Sequence, residues 1–150
     1  MNENKTNIEY IVSSCLAGIP CRYNCTHKDN KYVNDLIRNG KAIPLCPEQI
    51  AGLPTPREAC ECKIVNGKLK VYSKSGNDYT DYFYNGAEMV LEFAKKYNIK
   101  KAILQKNSPS CGKLTYDGTF TGNLSTYSGI TAKLLMENNI EVISSDEIND

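Results

Sequence analysis

Apolar residues recur along this chain in short runs, and their spacing switches between a period of two and a period near 3.6. Ile8, Tyr10, Ile11 and Val12, bounded by Ser13-Ser14, predict a first strand over 8–14. Over 29–39, Tyr32, Val33, Leu36 and Ile37 fall at helical spacing, with Gly40 as a stop. Residues 42–45 supply a second strand and complete a βαβ unit. Residues 46–61 hold Pro47, Gly52, Pro54 and Pro56, too much punctuation for a long element, and read as an ordered loop. Asn66-Gly67, between Ile64-Val65 and Leu69 with Val71, predicts an antiparallel hairpin over 63–73. The longest helical signal, 79–97, puts Phe83, Ala87, Val90, Leu91 and Ala94 on one face. A third strand over 100–105 leads into a loop over 106–122 rich in Gly, Ser and Pro. A helix then starts near 123 or 128 and runs to 138, and a last strand covers 140–143. This order predicts an α/β fold: a three-layer Rossmann-like sandwich with a mostly parallel sheet and a small β-hairpin excursion.

Composition narrows the picture. The 150 residues, 41% of them apolar, suffice for one good core, so a single domain over 1–150 is expected. Eighteen basic residues balance 17 acidic ones with no block of like charge, which leaves long nucleic acid without an electrostatic footprint. The N-terminal stretch lacks the apolar core of a signal peptide, and no segment approaches the length of a membrane span. A soluble, cytoplasmic protein with no membrane partner is expected. In that compartment clustered thiols point to metal or catalysis rather than to disulfides, and an odd count of seven cysteines agrees.

Three of those cysteines carry the chemical signal. Cys15 follows the first strand, Cys46 the second, and Cys111 lies a few residues beyond the third. In a doubly wound sheet ligands gather outside the carboxyl ends of the strands, so these thiols are expected to share one pocket. Three chemistries fit that inventory. A zinc ion would keep its fourth position for water, with Glu48 or His27 as base. A cubane iron-sulfur cluster would keep one iron unbound by protein, and all-sulfur ligation suits iron. The thiols could also be inert.

Beyond spacing, three ordered motifs identify a family. Val12-Ser13-Ser14-Cys15-Leu16-Ala17-Gly18-Ile19-Pro20-Cys21-Arg22-Tyr23 is followed by Cys46-Pro47-Glu48-Gln49-Ile50-Ala51-Gly52-Leu53-Pro54-Thr55-Pro56-Arg57-Glu58. Ser108-Pro109-Ser110-Cys111-Gly112 and Tyr116-Asp117-Gly118-Thr119-Phe120 complete the set. Together they resemble the DUF523 family, over a core of about 8–145. Members characterised as thiouracil desulfidases hold a 4Fe-4S cluster through three cysteines.

The resemblance implies that Cys15, Cys46 and Cys111 bind the cluster, with one iron not bound by protein, and that Glu48 is the carboxylate beside that iron. It implies that Ser108 or Ser110 lies in the pocket. Arg22, Asn24 and Asp117 are expected to contact substrate or support the pocket, and Arg57 is a candidate for a similar part. The implied reaction removes sulfur from a small thiolated nucleobase such as 2-thiouracil, giving uracil and sulfide without redox change. A cluster-binding module that delivers or senses sulfur, and a desulfidase acting on thiouridine in tRNA, are the alternatives. The chain departs from the family pattern after Tyr23, where Asn24-Cys25 replaces Asp-Gly. Cys21, Cys25, Cys60 and Cys62 fall outside the ligand set, and four thiols could bind a structural zinc.

Overall fold

The computed structural model describes residues 7–148. Four parallel strands form the main sheet in the order β2-β1-β5-β6: β1 (Tyr10–Ser13), β2 (Ala42–Leu45), β5 (Lys101–Leu104) and β6 (Glu141–Ser144). Ile11 stands beside Ile43 on one side and Ala102 on the other, so β1 is central. Pro44, which has no N–H to donate, sits in β2 at the sheet edge, where proline is tolerated.

Side chains alternate across the sheet, and each face finds its own helices. Val12 and Ile103 pack with Val33, Leu36 and Ile37 of α1 (Lys31–Arg38). Ile11, Ala102, Leu104 and Val142 pack with Val90 and Ala94 of α3 (Thr80–Lys96) and with Ala132 and Leu135 of α4 (Ile130–Glu137). The three layers expected from the sequence are therefore present. Helix α1 starts where the Asn30 side chain accepts a hydrogen bond from the Val33 amide at 3.0 Å, a standard N-terminal cap.

The hairpin consists of β3 (Cys60–Val65) and β4 (Lys68–Ser73), antiparallel, and joined by Asn66-Gly67. Both turn residues have positive φ, 52° and 77°, the conformation that suits the twist of a two-residue hairpin. Leu69, Val71 and Cys62 of the hairpin pack on Phe83 and Ala87 of α3 and on Ile130.

The structure corrects several boundaries. The loop after β2 opens with a single helical turn, α2 (Pro47–Ile50), because Pro47 occupies the first helical position, where its missing N–H costs nothing. Strand β3 begins at Cys60 rather than 63, so the Cys60-Glu61-Cys62 motif lies on a strand and not in a loop. The last helix starts at Ile130, later than either expected position. Its first amides have no side-chain cap; those of Ile130, Thr131 and Ala132 donate to the carbonyls of Pro109 and Ser110 at 2.8–3.1 Å. Among the described residues no helix is long and apolar enough to cross a membrane.

Candidate active site

The chain leaves β1 toward β2 on one side of the sheet and leaves β5 toward β6 on the other. Between the carboxyl ends of β1 and β5 the loops diverge, which opens a crevice at the switch point. A cleft of about 370 Å³ lies there, within the size range of small-molecule sites. Cys15 reaches it from the 3-10 turn Ser14–Ala17 that follows β1 directly. Cys46 reaches it from the junction of β2 and α2, and Cys111 from the loop after β5. Ser108 shapes that last loop: its Oγ accepts hydrogen bonds from the amides of Ser110 at 3.1 Å and Cys111 at 3.0 Å. Helix α2 is itself seated by a missing side chain. A Cβ on Gly86 of α3 would stand 2.2 Å from the Pro47 carbonyl oxygen, so only glycine lets α3 support the Cys46-Pro47-Glu48 corner this closely.

Glu48 and Arg57 form the polar wall. The Glu48 carboxylate accepts from Arg57 Nε at 3.2 Å, with the two side chains 16% and 6% exposed. The same guanidinium donates to the Cys21 carbonyl at 2.9 Å, to Thr55 Oγ1 at 2.9 Å and to the Pro54 carbonyl at 3.2 Å. Arg57 thereby ties the loop after β1 to the loop after α2 and holds Glu48 between them. Its planar fork explains the choice of residue, since a lysine could not satisfy four acceptors in fixed directions.

Four thiols of the cleft, Cys21, Cys46, Cys60 and Cys111, are pushed up by their surroundings. Cys21 contacts both Cys15 and Cys46; hydrogen bonding to Cys15, partly opposed by Cys46, and burial push its thiol up to about 11. Hydrogen bonding to Cys21 and burial raise Cys46 as well. Burial pushes Cys111 and Cys60 up to about 12. A metal centre held by Cys46 and Cys111 would displace the protons of these two thiols.

Of the residues expected from sequence, Cys15, Cys46, Cys111, Glu48, Ser108 and Arg22 line this cleft. Ser110, Asn24 and Asp117 do not. Ser110 is fully buried, its hydroxyl 2.8 Å from Thr131 Oγ1, where it anchors the Cys111 loop to α4. Asn24 is exposed and accepts from Thr26 Oγ1. Asp117 caps its own turn by accepting from the Thr119 amide at 3.0 Å, and the turn donates the Gly118 and Phe120 amides to Glu61. The four remaining thiols do not gather into a second site: Cys21 and Cys60 line the cleft, Cys25 is exposed, and Cys62 is buried with Sγ 3.3 Å from the Pro109 carbonyl. Among the described residues no group of three or more His, Cys, Asp or Glu side chains is placed to hold a single metal ion. The cleft also contains Gln105, which the sequence reading passed over. Its signal was its position, the first polar residue after the apolar run of β5.

Residues 10–147 match the 2-thiouracil desulfurase family, which spans nearly every element described above. The chain belongs to that family. It is 43% identical over 147 residues to the uncharacterized protein YbbK of Bacillus subtilis (strain 168), covering 93% of this chain and 97% of that protein. Among solved structures, a 4Fe-4S-dependent thiouracil desulfidase, TudS (DUF523Vcz), superposes with a TM-score of 0.86 at 38% identity, covering 94% of this chain and 93% of that one.

Proposed function

We propose that this protein is a 4Fe-4S-dependent desulfidase that removes sulfur from a small thiolated nucleobase such as 2-thiouracil, giving uracil and sulfide. The observation that carries the reading is that three thiols, each following one of three neighbouring strands, line one cleft of a chain from this family. The donor set fits the group, because it is all sulfur and stands beside buried polar residues rather than imidazoles. Cys15, Cys46 and Cys111 are the ligands in this reading, which leaves one of four irons without a protein thiolate. Such a centre supplies Lewis acidity toward a soft sulfur atom.

The reaction exchanges sulfur for oxygen: water adds to the thiocarbonyl carbon, the C–S bond breaks, and the sulfur leaves as sulfide with no electron transferred. Glu48 takes the proton of the attacking water and returns it to the departing group or the ring. Arg57 holds the Glu48 carboxylate in place through its four hydrogen bonds. The Ser108 oxygen already accepts two amides, so its own hydroxyl proton is free to donate into the cleft. Ser110 positions the Cys111 loop, and in this reading Arg22, which lines the cleft, donates to a substrate oxygen. Asn24 and Asp117 support the surrounding loops.

Anaerobic reconstitution of single variants tests the ligand set. Replacing Cys15, Cys46 or Cys111 by alanine is expected to abolish cluster uptake, read as iron content and visible absorption, whereas Cys60→Ala retains it. Equal loss in Cys60→Ala would show that the ligands are misassigned. A panel of 2-thiouracil, 4-thiouracil, thiouridine and thiolated tRNA is expected to give fastest sulfide release from a free base. Faster release from tRNA than from every free base or nucleoside would overturn that choice of substrate.

A further inference from the structure

Asn107 lines the cleft one residue ahead of Ser108, and its backbone is held in the left-handed region at φ 63°. Three other described asparagines share that conformation, each for a local reason: Asn66 sits in the hairpin turn, and Asn98 and Asn139 directly follow the C-caps of α3 and α4. Asn107 ends no helix and closes no hairpin. Its backbone is fixed from both sides, by a parallel bridge to Thr115 and by Gly112, where a Cβ would stand 2.9 Å from the Asn107 nitrogen. Glycine would satisfy this backbone at no steric cost, so the backbone alone does not account for the carboxamide. An asparagine in a bend commonly bonds its own neighbouring main chain. Among the described residues neither Oδ1 nor Nδ2 of Asn107 has a hydrogen-bond partner, and both are open to solvent, since the one buried side-chain oxygen or nitrogen without a partner is Oε1 of Gln105. A donor and an acceptor thus stand side by side, unused, on a half-buried side chain of the cleft.

We infer that Asn107 is a specificity-determining residue that pairs with the lactam segment of the substrate ring, an inference that rests on the desulfidase reading. In 2-thiouracil and 4-thiouracil alike, one ring N–H stands between the thiocarbonyl carbon and an oxygen carbonyl. That segment matches a carboxamide, with Oδ1 accepting the ring N–H and Nδ2 donating to the carbonyl oxygen. The substrate class is then a thiocarbonyl ring whose adjacent nitrogen carries a hydrogen and is followed by a carbonyl. A methyl group on that nitrogen removes the donor, breaks the pairing and leads to rejection.

The test uses cluster-loaded protein and two unreactive probes, uracil and 3-methyluracil, the second carrying its methyl group on the nitrogen between the two carbonyls. Wild-type protein is expected to bind uracil roughly 10- to 100-fold more tightly than 3-methyluracil, the range for a broken pair of hydrogen bonds. Asn107→Gly suits the positive φ and removes only the carboxamide. In that variant uracil should bind roughly 10- to 100-fold more weakly while 3-methyluracil stays within about threefold of its wild-type affinity. Uracil affinity unchanged in Asn107→Gly overturns the pairing. So does a ratio that falls only because 3-methyluracil binds more tightly, which would make the side chain a wall. Asn107→Asp tolerates the same φ but can donate nothing to the ring carbonyl, and it repeats the uracil measurement if the glycine variant takes up no cluster. A loss of roughly tenfold or more is expected there, and an unchanged affinity overturns the role. Wild-type protein that binds both probes equally overturns it without any variant. Sulfide release from 2-thiouracil by wild-type protein is measured alongside. Its absence sinks the desulfidase reading, while its presence with unchanged uracil affinity in the variant sinks the Asn107 assignment alone.

Discussion

Glu48 and Arg57 form a pair whose two members should fail in different ways. Glu48→Gln keeps the shape of the side chain and the path of α2, so cluster content should be unchanged while sulfide release falls roughly 10²- to 10⁴-fold, the range for losing a general acid or base. Near-normal release would remove Glu48 from proton transfer. Arg57→Met leaves a mostly buried carboxylate without its partner and should cost about 3 kcal/mol in urea denaturation. The exposed Lys31–Asp35 pair, at 2.9 Å, gives the contrast: Lys31→Ala should cost less than about 1 kcal/mol. At this scale the sequence placed Cys15 and Cys46 directly after apolar runs and Cys111 in the loop beyond a third, and the structure brings all three to the lining of one cleft. It did not disclose Arg57 as the tie between two loops, since its four acceptors come from segments up to 36 residues away. Gln105 ends the apolar run of β5, and only the packed strand ends show that this position lines the cleft.

At the scale of elements, local signals survived and nonlocal ones did not. The Asn66-Gly67 hairpin was legible because the turn chemistry lies within two residues. The start of α4 was not, because its amides are satisfied by carbonyls some 20 residues earlier in the chain rather than by an adjacent capping side chain. Gly86 makes the same point within a helix. Alanine is favoured over glycine there by roughly 1 kcal/mol of helix propensity. Yet the Pro47 carbonyl occupies the space of its methyl group, so Gly86→Ala should lower the urea midpoint and weaken cluster retention. A raised midpoint with full retention would contradict the seating of α2 on α3. Glu58 supplies a pH test of how the hairpin is joined to α3. Its carboxylate accepts from Ser75, from Asn77 Nδ2 at 2.8 Å and from Tyr79 Oη at 3.0 Å, and these bonds hold its pKa down to about 2. A depressed carboxylate stabilises the fold above its ordinary value, and that contribution is lost as pH falls through the folded value. Wild-type protein should therefore be more stable than Glu58→Gln at pH 6, with the difference shrinking from about pH 4.5 and closing near pH 2. A difference constant across that window would mean the carboxylate charge contributes nothing.

For the whole molecule, the apolar clusters lie against the sheet faces and the hairpin, while the cleft opens at the ends of the strands. Cys15, Cys46 and Cys111 pack with these clusters, but most of each cluster is made of residues that do not line the cleft, so circular dichroism of the cluster-free protein should retain its helical signal. Wholesale loss of that signal would mean that the metal centre organises the core. The central claim is catalytic, and turnover tests it most directly. Anaerobically reconstituted protein is expected to hold four irons per chain and to convert many equivalents of 2-thiouracil, releasing one sulfide for each uracil with no added oxidant or reductant. Four irons with release limited to one equivalent would describe a carrier of sulfur, and stoichiometric zinc with no capacity for a cluster would contradict the account at its root.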